Sequence, residues 1–311
     1  MIDFDNFTSL FQIADYFSTE QICKDTIAEE RWENGKAVCP YCGCTHCYSC
    51  GDGRYFCSHC DNKFSVLVGT IFENTKISLR KWFMAMYLIS SHKKGISSCQ
   101  LARDIKVTQK TAWFMLHKIR TTFAQVSPIL ENEVEIDETY VGGRETNKHE
   151  SKKVDGTQGR STKTKTPVFG IAQREGNVFA LKVEDTRSAT LMPIIKSHIK
   201  TGSIIYTDET NIYCNLNDNG YNRQIVNHSQ KEFAVGRKYT NTIEGFWGQF
   251  KRMVYGTYHF VSRYYMQRYV DEAVFRYNNR KKKGGERFAA LMTNALNVVT
   301  FEEVKVVKCA A

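Results

Sequence analysis

Two sets of side chains in this sequence have the types and the spacing that chemistry requires. In the first set, Cys39 and Cys42 form one C-x2-C pair, Cys57 and Cys60 form another, and 14 residues separate the two pairs. Zn²⁺ prefers a tetrahedron of four soft ligands, and each C-x2-C turn can supply two thiolates. The pattern predicts one structural zinc ion bound by Cys39, Cys42, Cys57 and Cys60.

Three further cysteines leave the ligand set open. Cys44 and Cys47 form a third C-x2-C pair, and Cys50 follows them, so that seven of the eleven cysteines fall in one block. We favour the outer pairs because Gly43 directly follows the first pair and the strand-like residues 54–56 lead into the second. The alternative is a block of buried cysteines without metal, although such a concentration is unusual in a reducing compartment unless a metal is bound.

The second set is acidic. Asp137 ends the strand-like run EVEIDETYVGG, Asp208 ends SIIYTDE, and Glu244 lies in the amphipathic stretch KYTNTIEGFWGQFKRM. Ligand groups gather at strand ends in α/β sheets, so the three acids would form a cluster if the two strands are neighbours. A cation must then hold them together, and hard oxygen ligands suit Mg²⁺ or Mn²⁺. Two such ions would support in-line phosphoryl transfer. The alternative for each acid is a solvated strand end or helix surface.

The elements that would position these acids follow Pro128. Alternating apolar residues predict five strands, and a helical period before the fourth strand predicts a helix, which together indicate an α/β domain. Ile243, Phe246, Trp247 and Phe250 recur at helical spacing and would pack the helix of Glu244 on the sheet. The predicted strands are 134–143, 167–176, 177–184, 203–209 and 223–228, and the predicted helix is 188–200.

The first half of the chain is predicted to be helical outside the cysteine block. Residues 1–32 suggest one or two short helices, and residues 78–95 a longer one. Residues 97–120 predict two helices around a break at 106–108, with Thr108 as N-cap. This pair fits a helix-turn-helix whose second helix would contact DNA bases; the alternative is a helix pair that serves packing alone. The candidate DNA contacts are Gln109, Lys110, Lys118 and Arg120.

The charge pattern favours a polyanionic partner. The formal net charge is +10, and residues 61–130 carry 11 basic against 3 acidic side chains, whereas residues 1–36 carry 3 against 8. Lys and Arg that neutralise phosphates supply most non-specific affinity for DNA. The alternative is a basic protein without such a partner. Residues 144–166, a polar and net basic stretch that contains Lys148, and the RKKK run at 280–283 are candidate phosphate contacts.

The sequence has no run of about 18 apolar residues, and its first ten residues, MIDFDNFTSL, lack the basic and apolar regions of a signal peptide. We therefore expect a soluble, cytoplasmic protein with no membrane partner, associated with the nucleoid if the source is bacterial.

Several long phrases occur in a fixed order along the chain. They are RWENGKAVCPYCG, then RYFCSHCDNKFSVLVGTIFENTKISLRKWFMAMYLISSHKKGISSCQLARDIKVTQKTAWFMLHKIR, then EIDETYVGG, NKH, IYTDE, VNHS and NTIEGFWGQFKR. From about residue 8 to about residue 295, the chain resembles the IS1595-type insertion-sequence transposases with an ISXO2-like catalytic domain.

This resemblance implies a multidomain α/β protein with an N-terminal zinc ribbon, a helix-turn-helix-like segment and an RNase H-like DDE domain. Asp137, Asp208 and Glu244 match the family's catalytic acids, and Lys251 matches the lysine that accompanies the glutamate and would contact DNA. Asn241 would cap the helix or orient Glu244. The expected divisions are 1–36 (helical segment), 37–72 (zinc ribbon), 73–127 (DNA-binding helices), 128–295 (DDE domain) and 296–311 (tail).

The expected activity is therefore metal-dependent cleavage of double-stranded DNA at transposon ends, followed by joining of the 3′-OH to target DNA. Holding two ends together requires at least a dimer. Two alternatives stay open: a nuclease of the same sheet class that does not join strands, and a non-catalytic DNA-binding regulator derived from a transposase.

Overall fold

The computed structural model describes residues 4–123, 129–143, 147, 149–154, 157, 161–226 and 239–296. The chain forms two compact units, one built from residues 1–123 together with 281–311, and the other from residues 124–280. None of the helices in these described ranges is long and apolar enough to cross a lipid bilayer.

Helices make up most of the first unit. Thr108 accepts a hydrogen bond from the backbone N–H of Thr111 and begins the fifth helix, which confirms the predicted N-cap. The long helix ends earlier than expected, at Ser91, and a turn then leads to Gly95, whose φ of +81° favours glycine. The helices are α1 (Leu10–Tyr16), α2 (Glu20–Arg31), α3 (Leu79–Ser91), α4 (Ser98–Asp104), α5 (Gln109–Thr121) and α9 (Gly284–Leu296).

The core of the first unit includes helix α9, which the sequence had assigned to the catalytic domain. Phe288 of α9 is fully buried and packs edge to face against Phe4, Phe83 and Tyr87. Aromatic rings prefer such tilted contacts, and each ring buries a large apolar area. Residues 284–295 therefore belong with the first unit, because their apolar face completes its aromatic core.

The cysteine block forms a small antiparallel sheet within the first unit. Its strands are β1 (Cys47–Ser49), β2 (Tyr55–Cys57) and β3 (Lys63–Phe64), and β2 lies in the middle. Phe64 is buried and stacks on Tyr55, while Trp32 packs edge to face on Tyr55. This small apolar cluster supports the turns that carry the cysteines.

The second unit is an α/β domain with a five-stranded sheet in the order β6-β5-β4-β7-β8. Strand β5 is antiparallel to both of its neighbours, β4 and β6, whereas β7 runs parallel to β4 and β8 runs parallel to β7. All five predicted strands and the predicted helix are present within a few residues of their expected bounds. The strands are β4 (Glu133–Val141), β5 (Thr166–Gln173), β6 (Val178–Lys182), β7 (Ile204–Thr207) and β8 (Asn222–Ile225); the helices are α6 (Ser188–His198), α7 (Asn241–Met253) and α8 (Met266–Asn278).

Helices cover both faces of this sheet. On one face, Ile136 and Ile205 pack with Leu191 and Ile195 of α6. On the other face, the predicted stripe of α7 is buried against the sheet together with residues of α8. Each face thus has its own apolar core, and the polar residues that share the α7 face stand out as candidates for function.

Candidate functional site

The four predicted zinc ligands lie close together in the first unit. The Sγ atoms of Cys39, Cys42, Cys57 and Cys60 are all within 4.8 Å of one another, and the Cys39–Cys60 and Cys42–Cys57 pairs are 3.6 Å apart. A tetrahedral zinc ion with Zn–S bonds of about 2.3 Å requires sulfur–sulfur distances of roughly 3.8 Å. The thiol cluster therefore fits one zinc ion in size and in donor type.

Local hydrogen bonds prepare part of this cluster for metal binding. Desolvation opposes ionisation of Cys57, but the backbone N–H groups of Cys60 and His59 and neighbouring thiols outweigh it and lower the pKa of Cys57 to about 6. The pKa of Cys60 is also lowered, chiefly by hydrogen bonds from Asn62. Zinc binds the thiolate, so the lowered pKa of Cys57 favours the required form at neutral pH, and the shift of Cys60 is in the same direction.

The additional cysteines lie outside the group of four. Cys47 is opposite Cys57 in the β1–β2 ladder, and its thiol points to the backbone carbonyl of Cys44. The Sγ atom of Cys44 is 3.9 Å from the imidazole of His46. Among the described residues, only the outer four cysteines form a group of three or more potential ligands within 4.8 Å. The structure therefore favours the outer pairs as the zinc site.

In the second unit, two of the predicted acids, Asp137 and Asp208, each lie two residues beyond the last paired residues of the adjacent strands β4 and β7. The parallel β4–β7 ladder pairs Glu133 with Ile204 and Glu135 with Tyr206. The same register, carried two residues further, brings Asp137 level with Asp208, which directly follows β7. Residues in register on parallel strands point to the same face, so both side chains belong to the face that α7 covers.

Helix α7 packs very closely on the sheet next to Asp137. Gly170 of β5 is the ladder partner of Asp137. A Cβ atom on Gly170 would lie only 2.4 Å from Cζ2 of Trp247 and 3.0 Å from Cδ1 of Ile243. Glycine at this position therefore lets α7, which also carries Glu244, approach the strand of Asp137.

A buried carboxylate that the sequence analysis overlooked holds the start of α7. Glu135, which is fully buried, accepts hydrogen bonds from the backbone N–H groups of Thr242 (2.8 Å) and Ile243 (3.0 Å). It also accepts one from the Thr242 hydroxyl at 3.0 Å. The first N–H groups of a helix have no hydrogen-bond partner within the helix. A carboxylate at this end also interacts favourably with the positive end of the helix dipole. Glu135 thus fixes α7 two residues away from Asp137 on the same strand.

Arg174 neutralises Glu135. Its Nε donates to Glu135 at 2.9 Å, and its Nη1 lies 3.6 Å from Glu133. The guanidinium is sandwiched between the rings of Tyr206, at 3.7 Å, and Tyr239, at 3.9 Å. Nη2 donates to the Tyr239 carbonyl at 2.7 Å. Planar stacking and fork-like donation suit arginine rather than lysine. A sequence signal existed, because Glu133, Glu135 and Asp137 alternate with apolar residues along β4 and therefore share one face of the strand.

Glu244 lies in the first turn of α7 and is exposed, with Oε1 accepting a hydrogen bond from the Thr240 hydroxyl at 2.8 Å. Thr240 is the N-cap residue, and its side chain makes no capping hydrogen bond. Asn241 is the first helical residue, so the expectation that it caps the helix is wrong. Glu135, distant in sequence, supplies the acceptor that a local cap would normally provide.

Asp208 is held by its own turn. Its Oδ1 accepts a hydrogen bond from the backbone N–H of Thr210 at 3.1 Å. Arg223 of β8 donates to the carbonyl of Asp208 at 3.1 Å and to that of Thr210 at 2.8 Å. Burial lowers the pKa of Arg223, although Asp208 opposes this effect. The turn that presents Asp208 is thus tied to the neighbouring strand.

The donor set fits hard divalent cations. Asp137, Asp208 and Glu244 offer carboxylate oxygens, which Mg²⁺ and Mn²⁺ prefer. Their oxygens do not all lie within 4.8 Å of one another, unlike the four thiols. Asp137 and Asp208 are half-buried, and Glu244, in the first turn of α7, is the exposed member of the set.

The predicted DNA contacts on α5 divide into two groups. Gln109 and Lys110 are exposed, and Gln109 donates to the Ser98 hydroxyl at 2.7 Å. Lys118 and Arg120 are buried, being 9% and 2% exposed. Nζ of Lys118 donates to the carbonyl of Ile71 at 3.0 Å. The expectation that Lys118 and Arg120 read bases is therefore corrected: the end of α5 faces the interior of the unit.

The remaining basic candidates are on the surface or outside the described residues. Lys251 is exposed in the last turn of α7. It follows Glu244 by seven residues, which corresponds to about 10 Å along the helix axis. Residues 281–283, all lysine, are exposed. Lys148 lies outside the described residues.

Residues 129–278 match the family model for the ISXO2-like transposase domain. Residues 18–63 match the model for a transposase zinc-ribbon domain. Together the two matches span the cysteine cluster, the sheet and the α7 helix. They agree with the expected fold class, a multidomain α/β protein with an N-terminal zinc ribbon, a helical segment and an RNase H-like DDE domain.

Two relatives are similar to the chain over different lengths. An uncharacterised protein in transposable element ISH50 of Halobacterium salinarum is 30% identical over 240 residues, which cover 73% of this chain and 81% of the relative. An uncharacterised transposase-like protein of Haemophilus influenzae is 33% identical over 106 residues, covering 34% of this chain and 85% of that protein. Among solved structures, the Mos1 strand transfer complex is matched with 13% identity and a TM-score of 0.29, over 64% of this chain and 73% of the other.

Proposed function

Because the chain belongs to the IS1595 family of insertion-sequence transposases, we propose that it binds transposon ends, cleaves DNA with divalent metal ions and joins the freed 3′-OH to target DNA. One observation carries the proposal most directly. The β4–β7 register, extended two residues beyond its last pair, aligns Asp137 with Asp208 on the face of the sheet that α7 covers, and Glu244 lies in the first turn of α7.

In the proposed reaction, Asp137, Asp208 and Glu244 supply the oxygen ligands for two ions. When bound, the two divalent ions would activate the attacking oxygen and stabilise the leaving oxygen of an in-line displacement. Water forms the new bond to phosphorus in the first step, and the 3′-oxygen leaves with a proton. The resulting 3′-OH then attacks a target phosphodiester, so that one bond forms and one breaks without a covalent protein intermediate.

The other residues position these acids. Glu135 and Arg174 hold the N-terminus of α7, and Gly170 lets the helix approach the strand of Asp137. Catalytic ligands must be held within a fraction of an ångström, which packed elements do better than loops. Lys251, about 10 Å along α7 from Glu244, would bind a DNA phosphate.

DNA would be bound by several parts of the chain. Gln109 and Lys110, exposed at the start of α5, are proposed to enter the major groove. The zinc ribbon, Lys148 and residues 280–283 are proposed to contribute further contacts. Two DNA ends have to be held together for joining, so we propose at least a homodimer. Acting on DNA, the protein would work in the cytoplasm, at the nucleoid if the source is bacterial.

The test is cleavage and joining of labelled duplex DNA that carries the gene's own flanking sequences, with Mg²⁺ or Mn²⁺. Asp208→Asn should bind this DNA normally but show no metal-dependent nicking or joined product. Asp218→Asn, an exposed acid of the same unit, is the matched control and should retain both reactions. Cleavage by Asp208→Asn at the wild-type rate would refute the site.

Two other outcomes identify the alternatives. Nicking without joined products would indicate a nuclease of the same sheet class. Binding without either reaction, in the wild-type protein, would indicate a DNA-binding regulator derived from a transposase.

A further inference from the structure

A cavity of about 530 Å³ lies in the second unit, between the end of β4 and the end of α7. Its walls include Tyr140, Gly142, Lys165, Lys251, Tyr255 and Phe260. Ligand pockets of small molecules usually have volumes of about 300–1,000 Å³. This volume suits a group of the size of one nucleotide.

An unusual backbone builds one wall of the cavity. After α7 the chain forms a π-helical turn, Val254–Tyr258, followed by His259 with φ of +61°. Such turns and left-handed non-glycine residues are uncommon and often occur at functional sites. They redirect the chain so that Tyr255 and Phe260 both line the cavity.

The two walls are joined by hydrogen bonds. The Tyr255 hydroxyl donates to the carbonyl of Gly142 at 3.2 Å and lies 3.3 Å from its backbone N–H. Gly142 also lies close to the backbone of Thr164. A Cβ atom at position 142 would be only 2.9 Å from the Thr164 carbonyl oxygen, so the close approach requires glycine. These hydrogen bonds connect the end of β4 to the π-helical turn at the cavity.

The chemistry of the walls combines aromatic rings with positive charge. Phe260 is 78% exposed and Tyr255 is 44% exposed, so both rings are accessible to a ligand. Lys165 and Lys251 also line the cavity, and no acidic residue is among its described lining. Aromatic platforms beside lysines are the common design of sites for unpaired nucleotides, where a base stacks and a phosphate pairs with the cation.

The cavity also lies in line with the three acids. The first turn of α7 contacts Glu135 of β4, and Tyr255, in the turn directly after α7, contacts Gly142 just beyond the end of β4. Helix α7 therefore runs alongside β4 in the same direction. Along it, Lys251 follows Glu244 by about 10 Å. A DNA strand whose phosphate lies at the acids could therefore place a neighbouring nucleotide in the cavity.

We propose that this cavity binds an unpaired nucleotide of the DNA strand next to the bond that reacts. The base stacks on Phe260 and Tyr255, and the phosphate pairs with Lys251 and Lys165. The proposal rests on the proposed function, since it assumes that DNA reaches the acids. A duplex cannot supply this nucleotide without local unpairing, which makes the site selective for frayed or single-stranded ends.

The test compares two DNA probes that carry the gene's flank boundary: a blunt duplex, and the same duplex with a three-nucleotide single-stranded tail. Binding is measured without divalent metal, in full-length protein carrying Asp208→Asn. Adding Phe260→Ala should weaken binding of the tailed probe by roughly 5- to 150-fold, the range expected for one stacked base. Binding of the blunt probe should be unchanged.

Phe11→Ala is the matched control, because Phe11 is 77% exposed and lies outside the cavity. It should alter neither probe. If Phe260→Ala weakens binding of both probes equally, or weakens binding of neither, the proposal is overturned. Loss of self-association in Phe260→Ala, measured by analytical ultracentrifugation, would also overturn it by assigning the cavity to a protein interface.

Photocrosslinking supplies an independent measurement. With 5-iodouracil in the single-stranded tail, the proposal expects a crosslinked peptide that contains Tyr255 or Phe260. Crosslinks confined to other peptides would refute it. If neither probe binds at all, the proposed function itself fails; if the blunt probe binds and the tail adds nothing, only the nucleotide site fails.

Discussion

Arg174 donates from its Nε to the carboxylate of Glu135 at 2.9 Å, although the two side chains are only 7% and 0% exposed. Breaking a buried ion pair by removal of one partner leaves an uncompensated charge and is strongly destabilising. The same Glu135 carboxylate accepts hydrogen bonds from the backbone N–H groups of Thr242 and Ile243 in α7, so the ion pair and the position of Glu244 are coupled.

Glu135→Gln should therefore lower the free energy of unfolding by about 3–5 kcal/mol, the usual cost of breaking a buried pair. It should also slow cleavage more than it weakens DNA binding, because an amide has one acceptor oxygen and cannot serve both the start of α7 and Arg174. Urea unfolding and single-turnover cleavage measure the two effects. The exposed Glu184→Gln serves as control. Unchanged stability in Glu135→Gln would contradict the role assigned to this carboxylate.

Gly170→Ala should separate α7 from β4. The added Cβ would lie 2.4 Å from Trp247, and overpacking of this kind typically costs about 1–3 kcal/mol. We expect a lower midpoint of thermal unfolding together with slower cleavage. Gly245→Ala, on α7 itself, has open space around its Cβ and should raise stability by up to about 1 kcal/mol. If Gly170→Ala cleaves DNA normally, the close approach of helix and strand is not required.

Lys118 and Lys110 lie on the same helix but should behave differently. Lys118→Ala removes the donor to the carbonyl of Ile71, and an unsatisfied buried carbonyl costs about 1–3 kcal/mol. It should therefore reduce stability. Lys110→Ala, exposed, should leave stability unchanged and weaken DNA binding. Thermal unfolding and a DNA mobility shift at several salt concentrations distinguish the two. A reduced salt dependence of binding in stable Lys118→Ala protein would reverse this interpretation.

Zinc retention should depend on pH in a defined direction. The pKa of Cys57 is lowered to about 6, so the folded state favours the thiolate, and this contribution is lost as the pH falls through about 6. Zinc and protons compete for the thiolates. We therefore expect the midpoint of zinc release to lie below about pH 6, and we expect no zinc release at pH 7. A colorimetric zinc chelator measures it.

A matched pair of variants tests the ligand set. Cys57→Ser should contain less than one zinc ion per chain at neutral pH, whereas Cys50→Ser, outside the four-thiol group, should contain one. Full zinc content in Cys57→Ser would refute the assignment.

The sequence predicted what depends on local pattern. Strand alternation located the five strands, and the apolar stripe at Ile243, Phe246, Trp247 and Phe250 located the buried face of α7. The C-x2-C spacing identified the thiol cluster. These features are local because each depends on the period of one element or on one turn.

The errors arose where long-range packing decides. Lys118 and Arg120 were expected to be exposed because basic side chains are seldom buried. The tertiary structure buries both, and Lys118 donates to the backbone carbonyl of Ile71. Glu135 was overlooked because its partners lie about 40 and 107 residues away, in Arg174 and Thr242. The sequence could not show that α9 belongs to the first unit, because the apolar face of α9 would pack equally well in either unit.

The place of α9 also bears on how the protein is made. The first unit combines the beginning of the chain with a helix encoded after the whole second unit. During translation, residues 124–280 therefore have all their packing partners before Phe288 is synthesised to complete the aromatic core of the earlier segment. Domains fold as units while the chain emerges, so the segment synthesised first finishes folding last, and until then its exposed rings depend on protection from aggregation.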